Sequence, residues 1–156
     1  MKLPDIYSIV NKKNMWKLFL FGILKKLVWV FLIYATSVFA QHENKHIRSG
    51  NDLFEEENFK DAEVDYMKAL EKNPESFKGQ YNLGDALYKL ENYEDATKLF
   101  ESVAGKELDD KTKAQVFYNM GNSYLKEQKL PEAIDSYKNS LRLNPNDMDA
   151  KYNLQY

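Results

Sequence analysis

The sequence predicts an all-α fold in which helix hairpins stack side by side into a solenoid. Apolar residues recur at helical spacing. Phe117, Met120, Gly121 and Tyr124 share one face, and Leu130, Ala133, Ile134, Tyr137 and Leu141 repeat the pattern after a short break. The pattern itself recurs along the chain: Gly50 is followed 34 residues later by Gly84, and Gly121 stands 37 further on. A period of about 34 residues built from paired helices is the mark of a helical repeat array. Helix punctuation falls in the gaps. Pro131 sits where a first-turn proline is tolerated, because its missing N–H would be unpaired there anyway. Asn144-Pro145 ends the next helix, since a residue before proline is pushed out of helical geometry.

Taken in order, the pattern places helices over His42–Glu57, Phe59–Lys72, Ser76–Leu90, Tyr93–Ala104, Asp109–Glu127 and Pro131–Leu143. Asp109-Asp110 suits a helix start, where a carboxylate meets the positive end of the helix dipole. Asp147–Gln155 begins a seventh helix. Its Tyr152-Asn153-Leu154 matches Tyr81-Asn82-Leu83 and Tyr118-Asn119-Met120, so it opens a partial fourth unit, either as a short C-terminal capping helix or as part of a longer array.

These residues resemble the tetratricopeptide repeat (TPR). The first unit runs 43–76, with Gly50, Ala62, Ala69 and Pro74 at its signature positions. The second runs 77–110, with Leu83-Gly84, Tyr93, Ala96 and Phe100. The third runs 114–147, with Met120-Gly121, Tyr124, Ala133, Tyr137 and Pro145, and 148–156 is partial. Two departures stand out. The second unit lacks the closing Asn-Pro and carries Gly105 and an insertion of three residues. The first has His46 and Ser49 where bulky apolar residues are usual, so its packing should be thinner. A single hairpin cannot bury its apolar face, and stacked neighbours supply the cover. A glycine inside a helix costs about 1 kcal/mol against alanine. Close approach of the paired helices at Gly50, Gly84 and Gly121, met by Ala62, Ala96 and Ala133, should offset that.

Charge is unevenly placed. Residues 1–40 hold six lysines and one acid, whereas the chain from Gln41 onward holds 16 basic and 23 acidic residues, a net of −7. Nucleic acid is therefore not an expected partner, because phosphate binding rests on clustered Lys and Arg. With no cysteine in the chain there is no disulfide, thiolate metal site or lipid-anchor cysteine.

Residues 1–40 read as a signal-peptide helix or a membrane anchor. Lys12, Lys13, Lys17, Lys25 and Lys26 precede an apolar run of 13 residues, Leu27–Phe39, that ends in Val38-Phe39-Ala40. This is the layout of a secretory leader, with cleavage expected between Ala40 and Gln41 and with Met15 as an alternative start. The rival is an uncleaved anchor, since Met15–Phe39 exceeds the roughly 20 residues needed to span a bilayer. On either reading the repeats at 41–156 are exported to the periplasm, free or anchored at the inner membrane, and only the N-terminal segment touches a membrane.

Candidate chemistry is sparse. His42-Glu43-Asn44-Lys45-His46 matches H-E-x-x-H, which on a helix can bind zinc with Glu43 as base. A working centre needs a third protein ligand and an enclosed cleft, and the chain has no other histidine. A zinc metalloprotease is thus the remote alternative, and no metal site is assigned. Ser49, Ser102, Ser123, Ser136 and Ser140 lack a base, and no glycine-rich phosphate loop is present. No catalytic residue and no cofactor are expected.

What remains is surface. In TPR folds the first helix of each pair lines a concave groove. The resemblance places Ile47, Arg48, Asn51 and Phe54 there, then Lys78, Tyr81, Asn82, Asp85 and Tyr88, then Gln115, Tyr118, Asn119, Asn122 and Lys126. Arg48, Asn51, Lys78, Tyr81, Asn82, Asp85, Tyr88, Tyr118, Asn119, Asn122 and Lys126 are the candidate partner-binding residues. Tyrosine offers apolar area with a polar tip, and asparagine can bond both sides of a peptide backbone. The alternative is that the asparagines bridge neighbouring helices and the tyrosines pack. TPR domains that grip a chaperone's terminal carboxylate use a Lys/Asn/Asn/Lys/Arg clamp. Here those positions read Ile47, Asn51, Asn82, Gln115 and Asn119, so the cations are missing and that partner class is not expected. The leader, the repeats and the phrase LRLNPNDMDAKYNL together resemble the TPR subunits of bacterial aerotolerance (Bat) operons. That resemblance implies a non-enzymatic envelope scaffold working with von Willebrand-type partner subunits. An envelope or outer-membrane assembly factor is the other reading, weakened by the missing anchor cysteine.

Overall fold

A computed structural model describes residues 20, 21, 23–28 and 45–155 of the chain. The expected cleavage site, His42 and most of the leader lie outside the described residues. The chain divides into two units, Met1–Ala40 and Gln41–Tyr156. Of the first, the described residues 23–28 are helical, with exposed Leu24, Leu27 and Val28. Among the described residues no helix is long and apolar enough to cross a membrane.

Among the described residues of the second unit every regular element is a helix. Helix α1 covers 45–55. It is followed by α2 (Phe59–Lys72), α3 (Phe77–Lys89), α4 (Tyr93–Ala104), α5 (Asp110–Lys126), α6 (Leu130–Leu143) and α7 (Met148–Gln155). Each helix from α2 onward packs on the next, and α3 also reaches α5, which is the contact order of a stacked array. The turn inside each hairpin is built the same way. Glu57, Glu91 and Gln128 adopt positive φ of 60°, 63° and 63°. The next residue's N–H then reaches back to Leu53, Leu87 or Tyr124 at 2.9 Å. This is a left-handed helix stop that satisfies carbonyls the helix end would otherwise leave open.

The repeat glycines occupy matching tight crossings. A Cβ on Gly50 would lie 2.6 Å from the Tyr66 ring, one on Gly84 2.8 Å from Phe100, and one on Gly121 2.7 Å from Tyr137. Those three rings are buried, as are Ala62, Ala96 and Ala133 beside them. Gly79 makes a further close contact, against Leu70, that the 34-residue pattern did not mark. The helix starts hold as well. Asp109 accepts from the Thr112 N–H at 3.0 Å, and Ser76 from that of Gly79 at 3.1 Å. The inserted segment after Gly105 is tied back across the array by Lys106, whose ammonium meets Glu75 at 2.7 Å.

Three expectations need correction. Leu130 and Ile134 share the apolar spacing of α6 yet are 55% and 42% exposed. The buried face of α6 is Ala133, Ser136, Tyr137 and Ser140, because small residues let α6 close on α5 while its leucine and isoleucine turn outward. Ile47, expected in the groove, is only 5% exposed and belongs to the core. At His46 and Ser49 the missing apolar packing is replaced by polar bonding. The Ser49 hydroxyl donates to Asp65, whose carboxyl Lys68 and Ser49 together hold below its usual range.

Candidate functional site

The first helices of the hairpins present a row of amides that is a bonded ladder. Asn51 Oδ1 accepts from the Tyr66 hydroxyl at 2.9 Å and from Asn82 Nδ2 at 2.8 Å. Asn122 Oδ1 accepts from the Tyr137 hydroxyl at 2.8 Å and from Asn153 Nδ2 at 3.1 Å. Each rung therefore joins one helix of a unit to its own partner helix and to the following unit. Burial pushes the hydroxyls of Tyr66 and Tyr137 up to about 12, so both remain donors at any physiological pH.

The middle rung differs at two positions. Asp85 stands where the neighbouring units have Asn51 and Asn122, and Phe100 where they have Tyr66 and Tyr137. Asn119 Nδ2 donates to Asp85 Oδ1 at 2.8 Å and to the Tyr81 hydroxyl at 3.0 Å. Phe100 has no hydroxyl to give, so Asp85 lacks the second donor that the other rungs possess. Burial pushes its carboxyl up to about 7, against the Asn119 bond and the nearby Lys89, which pull the other way.

Two recesses meet at this rung. One, of about 280 Å³, is lined by Phe54, Asp85, Tyr88, Lys89, Phe100, Asn119 and Asn122. The other, of about 190 Å³, is lined by Asn51, Phe54, Glu55, Tyr66, Asn82 and Asp85. The aromatic walls are braced from behind: Phe54 meets Phe59 edge-on at 5.1 Å, and Tyr88 meets Tyr93 likewise at 5.3 Å.

Sequence profiles of the tetratricopeptide repeat match residues 53–115 and 114–147. The chain belongs to the tetratricopeptide-repeat family. It is similar to the peptidyl-prolyl cis-trans isomerase CYP7 of Saccharomyces cerevisiae, 30% identical over 130 residues, covering 69% of this chain and 32% of that one. It is also similar to Hsp70-Hsp90 organizing protein 3 of Arabidopsis thaliana, 39% identical over 69 residues, covering 44% of this chain and 12% of that one. The chain thus spans a third or less of the length of these two relatives. Among solved structures, the first TPR domain of Spaghetti (RPAP3), bound to the HSP90 peptide SRMEEVD, superposes with a TM-score of 0.68. That match is at 22% identity and covers 74% of this chain and 89% of that one.

Within this TPR array the remaining candidates are placed as follows. Arg48, Lys78 and Lys126 are exposed on their helices. Tyr81 is half-buried and packs edge-on against Phe100 at 5.9 Å, and Tyr118 lies tilted on Tyr137 at 6.0 Å. The Nδ2 groups of Asn82 and Asn119 are already engaged between units, while Asn119 Oδ1 accepts from Gln115 at 3.2 Å. Asp85, Tyr88, Asn119 and Asn122 come together around one recess. Glu55, Lys89 and Phe100 line the same region and were not among the candidates. Setting Tyr66, Phe100 and Tyr137 in register would have exposed the odd middle rung.

His42, Glu43 and Asn44 of the H-E-x-x-H stretch lie outside the described residues. Among the described residues no three His, Cys, Asp or Glu side chains are grouped to hold a metal ion. His46 Nδ1 stands 4.0 Å from Asp65, and the Ser49 hydroxyl donates to that same carboxylate.

Proposed function

We propose that this protein is a non-enzymatic scaffold of the bacterial cell envelope that binds an extended peptide or a partner helix in its concave groove. The observation that carries the reading is the recess at Asp85, about 280 Å³, lined by aromatic Phe54, Tyr88 and Phe100 together with polar Asp85, Asn119 and Asn122. Mixed apolar and polar lining of this kind suits a side chain from a partner. The relative named Hsp70-Hsp90 organizing protein 3 and the peptide-bound structural neighbour favour a protein ligand over a small molecule. The basic, then apolar, leader supports export. The Bat-like layout supports von Willebrand-type envelope subunits as the partner class. The missing clamp cations and the acid at Asp85 weigh against a chaperone's terminal carboxylate as ligand.

The groove is tested by placing a photo-crosslinking amino acid at Tyr88, inside it, or at Met67, on the exposed outer side of α2, in the full-length protein in cells. A discrete partner adduct from position 88 and none from 67 is expected. No adduct at 88, or equal adducts at both, overturns the reading. Export is tested by fractionation and N-terminal sequencing. A periplasmic chain beginning at Gln41, or an inner-membrane chain retaining its leader, is expected, and a cytoplasmic pool overturns it.

A further inference from the structure

The middle rung of the amide ladder is incomplete in a way that selects a ligand. Asn51 and Asn122 each accept two hydrogen bonds, one from a tyrosine and one from the next asparagine. Asp85 puts an ionisable carboxyl at the same position and receives only the Asn119 bond, and Phe100 stands where the other rungs have a tyrosine. The Oδ2 of Asp85 has no hydrogen-bond partner among the described residues, and Asp85 lines both recesses. Lys89 shares the larger recess and favours the charged form of Asp85 from a distance, but its ammonium lies over the Phe59 ring, 5.9 Å from the centroid, so the Asp85 head is not closed off by a direct contact. Glu55, which lines the smaller recess, adds a second acidic group. The chain from Gln41 onward is net negative by seven charges.

We infer that the groove takes a peptide segment presenting a lysine or arginine, whose side chain enters between Phe54 and Tyr88 and whose cationic head bonds to Asp85. This rests on the peptide-groove reading above and names the ligand's chemistry. A lysine or arginine stem is apolar and suits the aromatic walls, while the head needs an acceptor at the end. A carboxylate that is already partly stripped of water gains more from a charge-assisted bond than an exposed one does. An acidic or terminal-carboxylate ligand would meet the same group with repulsion.

The test uses the full-length protein and three pools of acetylated, amidated heptapeptides, random except for a central Lys, Gln or Glu, read by fluorescence anisotropy. The Lys pool should bind at least tenfold tighter than the Gln pool, and the Glu pool weakest. Asp85→Asn restores the residue used by the other two units, so folding is retained, and it should bring the Lys and Gln pools within about twofold. Phe100→Tyr supplies the missing hydroxyl and should also narrow the gap. Equal binding of the Lys and Gln pools by the unaltered protein, or a Lys preference that survives Asp85→Asn, overturns the inference and leaves the groove reading standing. Binding of no pool, with circular dichroism showing a folded array, overturns both.

Discussion

Asn82 on α3 donates its side-chain amide to Asn51 on α1 at 2.8 Å, and the same oxygen of Asn51 receives the buried Tyr66 hydroxyl from α2. One acceptor atom thus fastens a hairpin to itself and to the hairpin that follows. The arrangement returns at Asn122, with Tyr137 and Asn153 as donors. Asn51, Tyr66, Asn82 and Asn122 also line the two recesses, so the recess walls and the joint between units share side chains.

That sharing makes the two ends of the bond unequal under mutation. Asn82→Ala removes one donor and leaves solvent access to the rest, so it should cost about 1 kcal/mol. Asn51→Ala also strands the Tyr66 hydroxyl, whose residue is only 2% exposed. An unpaired buried hydroxyl costs about 1–3 kcal/mol beyond the lost bond. Urea denaturation should therefore rank Asn51→Ala well below Asn82→Ala. Tyr66→Phe in the Asn51→Ala background should recover part of the loss. Equal destabilisation by the two single changes would contradict the ladder.

The repeat glycines give a second prediction. A methyl on Gly84 or Gly121 would press on Phe100 or Tyr137 at under 3 Å, and neither ring has room to retreat. Gly84→Ala and Gly121→Ala should each destabilise by about 1–3 kcal/mol through overpacking. Gly105→Ala is the contrasting case. Its nearest neighbours would be backbone oxygens at 3.6 Å and 3.9 Å, and its φ of −73° suits any residue. It should be neutral or stabilising by up to about 1 kcal/mol. Thermal melts of the three variants decide the matter.

Much of this was legible beforehand because the repeat writes its constraints locally. The spacing of Gly50, Gly84 and Gly121 located the tight crossings, and the Pro and Asn-Pro positions placed helix ends to within a few residues. What escaped was set by partners distant in sequence. Ile134 and Leu130 have the right spacing for burial, but which face of α6 meets α5 depends on the small Ser136 and Ser140 closing on it. The contrast of Asp85 with Asn51 is visible in the sequence. Its meaning depends on Phe100, fifteen residues away, which only the fold brings to the same recess.

Backbone strain yields a third prediction. Glu91 and Gln128 hold φ of 63° without being glycine. The left-handed region disfavours L-residues by about 1–2 kcal/mol. Glu91→Gly and Gln128→Gly should therefore raise stability modestly, by up to about 1 kcal/mol after the larger chain entropy of unfolded glycine is counted. A raised melting temperature for each, additive in the double variant, is the expected result, and a drop in either would show that the side chain supports the turn.

The last prediction concerns pH. Asp85 has its pKa pushed from the usual 3.8 up to about 7 by burial, opposed by the Asn119 bond and Lys89. The native state therefore holds a proton on this carboxyl at pH values where the unfolded chain has released it. Its contribution to stability is fully present below about pH 4 and is lost as pH rises through about 7. The charged or ionisable neighbours are Glu55, Tyr66, Tyr81, Tyr88 and Lys89. Burial raises all three tyrosines, so they keep their protons across this window. Asp85→Asn removes the titration while keeping the bond from Asn119. The variant should gain on the parent steadily between pH 4 and pH 7 and hold a constant lead above. At about 1.4 kcal/mol per unit the lead is at most about 4 kcal/mol. The difference between the two proteins in urea midpoints across pH 4–9 isolates Asp85, because every other carboxyl titrates in both. A difference that is flat with pH, or that shrinks as pH rises, would mean that the acid is already compensated within the groove.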